Sequence, residues 1–171
     1  MTDDHVGTRF DRLPMTADER AVPERPTSTA VRAFFRDRFG IPPDRFDGYT
    51  FWERGKGKVW AFRGNYSTPL EVEALGIHLL RTRHRSWKPT TDGVQLFGRA
   101  ASRNVLELAD PEARRFWRGE AIDREWDGDP GYVIVARRSV GRREPLGVGL
   151  YTDGTLESMV PKGRREDVLQ P

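Results

Sequence analysis

Between Arg81 and Arg103 the chain sets six bases, Arg81, Arg83, Arg85, Lys88, Arg99 and Arg103, against a single acid, Asp92, with His84 and Trp87 interleaved. Cations at that density neutralise phosphates, and a planar indole among them offers a surface on which an unpaired base can stack. The pattern points to RNA rather than to a small substrate. A shorter run, Arg54, Lys56 and Lys58, alternates with glycine as a secondary basic tip, but no nucleotide-loop spacing follows it. A third run, Lys162, Arg164 and Arg165, ends a stretch from Gly131 to Arg165 that carries seven bases against three acids. Between the first and third runs the sign reverses, with eight acids against four bases from Asn104 to Pro130. Folded together, the two basic stretches would share one face.

Residues for covalent or metal chemistry are few. The chain has no cysteine, which removes disulfide frameworks and thiolate metal sites. Its three histidines, His5, His78 and His84, assemble neither a nucleophile–base pair nor a metal triad, and His78 sits in an apolar run where a partly buried imidazole is the default. Asp123, Glu125, Asp127, Gly128 and Asp129 imitate the start of a calcium loop, yet the twelfth position is Ile134, where a bidentate glutamate is required. The expectation is no enzyme, no metal and no cofactor. By repelling phosphate, the acidic loop would help orient RNA on the opposite face.

Bulk composition adds little to this. Twenty-nine Lys+Arg against twenty-six Asp+Glu leave a net charge of +3, and 36% hydrophobic residues in 171 suit one ordinary domain or two small ones. No run of about 18 apolar residues exists, and the opening MTDDHVGTRF lacks a basic n-region and an apolar h-region. A cytoplasmic chain with no membrane contact is expected.

The elements that must position the bases can be read from spacing. Residues 1–26, polar and interrupted by Pro14, Pro23 and Pro26, are expected to be a mobile arm. A unit of residues 27–75 follows. It opens with a helix from about Thr29 to Phe39, capped within Thr27 to Thr29 and ended by Gly40, and continues as a β-hairpin of Tyr49 to Glu53 and Val59 to Phe62. Asn65 to Pro69 should turn, and Val72 to Leu75 form a short turn or helix. A second unit, residues 76–165, begins with a strand in Gly76 to Arg83. A helix capped by Thr90 or Thr91 comes next, with Val94, Phe97 and Ala101 on one side, then a short strand at Asn104 to Leu108. Asp110-Pro111 reads as a helix start, with a capping carboxylate and Pro at the first helical position. Strands are expected at Tyr132 to Arg137, Leu146 to Tyr151 and Leu156 to Val160, the last two joined through Thr152-Asp153-Gly154, with a frayed tail at 166–171.

The second unit carries, in order, the KPT of Lys88 to Thr90, the FG of Phe97-Gly98, the RNVLEL of Arg103 to Leu108, the RGE of Arg118 to Glu120, then GYVIV, PLGVGLY, DGTL and VPKGRR. This run resembles the PUA-like domains of archaeal and eukaryal ribosome-biogenesis factors and of Sun-family RNA cytosine-5 methyltransferases. The resemblance implies an α+β fold, a small N-terminal helix-plus-hairpin unit followed by a PUA-like mixed β pseudo-barrel with two helices. In that barrel Gly147 and Gly149 allow close backbone approach. It implies RNA contacts at Arg81 to Lys88, Arg99 to Arg103 and Lys162 to Arg165, the regions that charge also selects. The first unit is similar to the small domain that precedes PUA in these proteins. Methyltransferase activity is not implied, since the catalytic cysteine and cofactor domain are missing. The expected role is an adaptor for ribosomal RNA, with transfer RNA as the other candidate ligand and ribosomal or RNA-processing proteins as further partners. The rival reading is a protein–protein scaffold, for which Phe51, Trp52, Trp60 and Phe62 would be partly exposed.

Overall fold

Four residues of the expected mobile arm, Arg9–Arg12, are strand β1, paired antiparallel between β2 (Tyr49–Arg54) and β4 (Leu70–Glu71) in the computed structural model, which describes residues 9–166. This corrects the reading of the arm over those residues. Phe10 is fully buried, edge-on to Trp60 at 5.6 Å, and the Leu13 N–H donates to the Phe51 carbonyl at 2.9 Å. The remainder of the arm before Arg9, and the expected tail beyond Glu166, lie outside the described residues.

Helix α1 (Ser28–Phe39) forms where its caps direct it. Thr27 accepts the Ala30 N–H at 3.0 Å, and Gly40 adopts the left-handed conformation, φ 65°, that closes a helix cheaply only without a Cβ. Val31, Phe35 and Phe39 recur at four-residue intervals and bury one face. Strand β2 then pairs with β3 (Lys58–Arg63) as the expected hairpin. Strands β5 (Ile77–Arg81) and β6 (Lys88–Pro89) complete an antiparallel sheet in the order β4-β1-β2-β3-β5-β6. Val72 to Leu75 is irregular rather than helical.

The first sheet thus continues through Pro89, beyond the unit boundary expected at Gly76. Its burial explains why. Leu79 and Leu80 belong to the same apolar cluster as Val31, Phe35, Phe46, Phe51 and Val59, so cutting the chain before β5 would open that cluster. The cluster also takes in Val94 and Phe97 of α2 (Thr91–Phe97), and Ile134 and Val148 of the second sheet. One core therefore joins both halves.

The second sheet has the order β7-β9-β10-β11-β8, with β7 (Val105–Leu108) parallel to β9 (Gly131–Ser139) and the other pairs antiparallel. Strand β10 (Arg142–Thr152) shifts register between Pro145 and Gly147, and β11 (Thr155–Ser158) and β8 (Ile122–Asp123) follow it in space. At Gly149 an added Cβ would sit 2.5 Å from Leu156 Cδ1, so close approach requires glycine there. Helix α3 (Asp110–Trp117) packs Ala113, Phe116 and Trp117 against this sheet. Asp110 is itself the first helical residue, following Ala109 at the cap position, and makes no capping hydrogen bond; Pro111 supplies the start signal. The architecture is mixed α+β, with a PUA-like pseudo-barrel and its two helices α2 and α3.

Candidate nucleic-acid interface

Strand register brings together bases that the sequence separates. Lys58 on β3 lies opposite Arg81 on β5, and Arg81 lies opposite Lys88 on β6. Directly opposed residues are about 4.5–5.5 Å apart, and like charges so placed are destabilising unless something neutralises them. Burial, then the charge of Arg81, hold the Lys88 amine below its ordinary range. Lys58 of the secondary basic tip and Arg81 and Lys88 of the main basic run thus form one row.

The loop after β5 folds back on that row. The Thr82 N–H donates to the Gly57 carbonyl at 2.8 Å, and Arg83 lies over Gly57, where an added Cβ would fall 2.1 Å from Arg83 Cγ. Gly57 has φ 79°, and its N–H donates to Glu53 Oε2 at 3.2 Å, so a buried carboxylate that also holds Arg25 at 3.0 Å fixes the hairpin tip. Among the described residues no ion pair joins Lys56, Lys58, Arg81, Arg83, Arg85 or Lys88 to an acid. Arg54 is occupied differently. Its guanidinium stacks over Phe10 and Trp60 and donates to the Glu73 carbonyl at 3.0 Å.

The other expected contacts divide. Arg99 and Lys162 are exposed, and Arg103, also exposed, lies 3.9 Å from Asp129. Arg164 pairs with Asp92 at 2.7 Å and rests over Trp117, which neutralises the one acid of the main basic run with a base of the third. Arg165 donates to the Val160 carbonyl at 3.0 Å and packs on Gly119. These last two hold the fold. A group counted in the Gly131–Arg165 basic stretch but not singled out as a site stands on the β9–β10 turn, where Arg138 lies opposite Arg143, Arg142 is exposed and Val140 is fully exposed at the tip. The repeated RR on either side of Ser139-Val140-Gly141 was its signal. Arg143 donates to the Ala101 carbonyl, bringing this turn beside Arg99 and Arg103.

Trp87 is half-buried and packs against Phe34 of α1, with ring centroids 5.5 Å apart and planes at 48°. With Tyr132 these rings border a cleft of about 460 Å³ that also takes in Asp37, Arg38, Ser86, Pro130 and Gly131. The cleft's far wall is pinned. Arg38 donates to the carbonyls of Asp129, Pro130 and Tyr132, while Asn104, at φ 54°, donates to the Arg38 carbonyl at 2.7 Å and accepts the Asp129 N–H at 3.0 Å. Lys88 Nζ lies 5.7 Å from the Tyr132 ring centroid, so the cation row ends at the cleft.

His78 stacks on Trp60 at 5.0 Å and 22°, and neither His78 Nε2 nor Trp60 Nε1 has a hydrogen-bond partner. Burial, then the charges of Arg81 and Lys58, push the His78 imidazole down to about 4. An unfolded histidine titrates near 6.5, so the unfolded chain takes up a proton first as pH falls. Stability is full above about pH 6.5 and declines towards pH 4. After allowance for solvent screening, the expected loss between pH 7 and pH 5 from this residue is roughly 1 kcal/mol. Urea midpoints should show it, and His78→Gln should remove it.

Fold and site together define a PUA-like module, and comparison with known proteins gives it relatives. Residues 103–166 match the family described as the methyltransferase RsmF PUA domain, and residues 1–76 match a family of unknown function, DUF7122. Over 128 residues the chain is 24% identical to the ribosomal RNA small subunit methyltransferase F of Aeromonas salmonicida (strain A449), an alignment covering 72% of this chain. It covers 25% of that protein, so the chain spans about a quarter of the length of the curated relative it matches. The C-terminal region thus resembles the PUA-like region of Sun-family methyltransferases. Of the aromatics that the scaffold reading would expose, Phe51 and Trp52 are buried and Trp60 and Phe62 half-buried.

Proposed function

We propose that this chain is a non-catalytic RNA-binding adaptor that holds ribosomal RNA, or a pre-ribosomal particle, on the face formed by Lys56, Lys58, Arg81, Arg83, Arg85 and Lys88. The observation that carries this reading is the row Lys58, Arg81, Lys88, three cations set side by side without a carboxylate between them. Such an arrangement costs stability in the free protein and is relieved when phosphates occupy it. The PUA-like region and the ribosomal RNA in the relative's name support the same reading.

Binding of the full chain to small-subunit ribosomal RNA and to transfer RNA, measured between 50 and 200 mM salt, tests it. Four to six phosphate contacts give log K against log salt a slope of about −3 to −5. Ribosomal RNA should bind more tightly than transfer RNA. A flat salt dependence, or no binding at all, sinks the proposal.

A further inference from the structure

We propose that the cleft bordered by Phe34, Trp87 and Tyr132 is a pocket for one unpaired nucleobase of the bound RNA, with guanine preferred through Asp37. This rests on the RNA-binding reading above and specifies what that face selects. The position is the first argument. A strand whose phosphates follow Lys58, Arg81 and Lys88 arrives at the cleft, because Lys88 Nζ lies over the Tyr132 ring at 5.7 Å. A base turned inward there leaves its phosphate beside the lysine.

The walls supply the second argument. Three rings border the space, and its volume of about 460 Å³ falls within the range of roughly 300–1,000 Å³ typical of small-ligand sites. The rings are held by the fold. Phe34 meets Phe35 and Phe39 edge-on at 5.1 and 5.9 Å, and Tyr132 is anchored through its carbonyl, which accepts from Arg38 Nη2 at 2.8 Å. A preformed aromatic cleft loses little entropy when a planar base enters.

The choice of base follows from hydrogen-bond chemistry. Asp37 is exposed, lines the cleft, and its carboxyl is kept below the usual carboxylate range chiefly by the hydrogen bond from Arg36. An ionised carboxylate only accepts. Guanine presents two adjacent donors, N1–H and the N2 amino group, that match its two oxygens. Adenine and cytosine set a single amino donor beside a lone-pair nitrogen, and uracil sets one N–H between two carbonyls. Both arrangements place an acceptor against the carboxylate.

The test uses the full chain and labelled ten-nucleotide oligouridylates whose central residue is guanosine, adenosine, cytidine, uridine or an abasic site, with anisotropy as readout. The guanosine oligomer should bind about tenfold more tightly than the all-uridine one, and the abasic oligomer no better than the latter. Trp87→Ala should abolish that advantage and bring the guanosine oligomer to the affinity of the abasic one. Asp37→Asn, on the exposed side of α1, should keep the fold and bring guanosine and adenosine oligomers to within about twofold of each other. Salt-dependent binding with no preference among central residues overturns the pocket and leaves the RNA-binding reading standing. Preference for guanosine that survives Asp37→Asn overturns the role of the carboxylate. Failure of every oligomer and of ribosomal RNA to bind overturns both.

Discussion

Reversing two neighbouring charges, Arg81→Glu with Lys88→Glu, is expected to weaken ribosomal RNA binding on the order of a hundredfold near physiological salt. Arg81 is the middle member of the row, opposite Lys58 on one side and Lys88 on the other. The substitution removes two phosphate contacts and sets two carboxylates where the backbone must pass. The slope of log K against log salt should become shallower by about 1.5, since each contact contributes 0.7–0.9. Arg164→Gln is the matched control. That guanidinium is already paired with Asp92 at 2.7 Å, so its loss should alter affinity by less than about twofold. A double variant that binds like the parent would remove this face from the mechanism.

The second large effect concerns the core. Phe46 is fully buried, and its ring meets Phe35 at 5.4 Å, Phe51 at 5.6 Å and Phe97 at 4.5 Å, so it joins α1, the first sheet and α2. Phe46→Ala is expected to cost about 3–5 kcal/mol, a large fraction of the 5–15 kcal/mol by which domains are ordinarily stable. The loss should appear in one cooperative transition, because the same cluster reaches Ile134 and Val148 in the second sheet. Denaturant unfolding followed by tryptophan fluorescence and far-ultraviolet circular dichroism would decide this. Two separated transitions would contradict the shared core.

Local chemistry made part of this fold readable in advance. Helix α1 lies between the Thr27 cap and Gly40 because both signals act within one turn of the helix ends. The β2–β3 hairpin was visible for a similar reason, alternating aromatic and β-branched residues around a glycine-rich tip. Strand β1 was not. A four-residue strand among prolines has no periodicity of its own, and the rings that bury Phe10 come from strands much later in the chain. The packing of Leu79 and Leu80, past the boundary expected at Gly76, with residues of the first unit was hidden on the same ground, since nothing local tells them which cluster they will join.

The candidate site shows the same division. Charge density identified Arg81, Arg83, Arg85 and Lys88, but only strand register placed Lys58 beside Arg81 and detached Arg54 towards Phe10 and Trp60. Arg164 looked free because Asp92, its partner, is distant in sequence. Arg138, Arg142 and Arg143 were counted in the Gly131–Arg165 basic stretch but not singled out, because no aromatic residue is interleaved with them as Trp87 is with the first run. Trp87 itself was legible as an aromatic among cations. Its companions Phe34 and Tyr132 were not, since they belong to other elements.

That last arrangement carries a consequence for the lifetime of the protein. Phe34, Trp87 and Tyr132 come from three stretches of chain that meet only in the folded state, so whatever fills the cleft fastens them together. A guest present at a hundred times its dissociation constant adds about 2.7 kcal/mol of stability, which lowers the population open to proteolysis about a hundredfold. Loaded molecules would then outlive empty ones, and the abundance of the chain would follow the supply of its RNA.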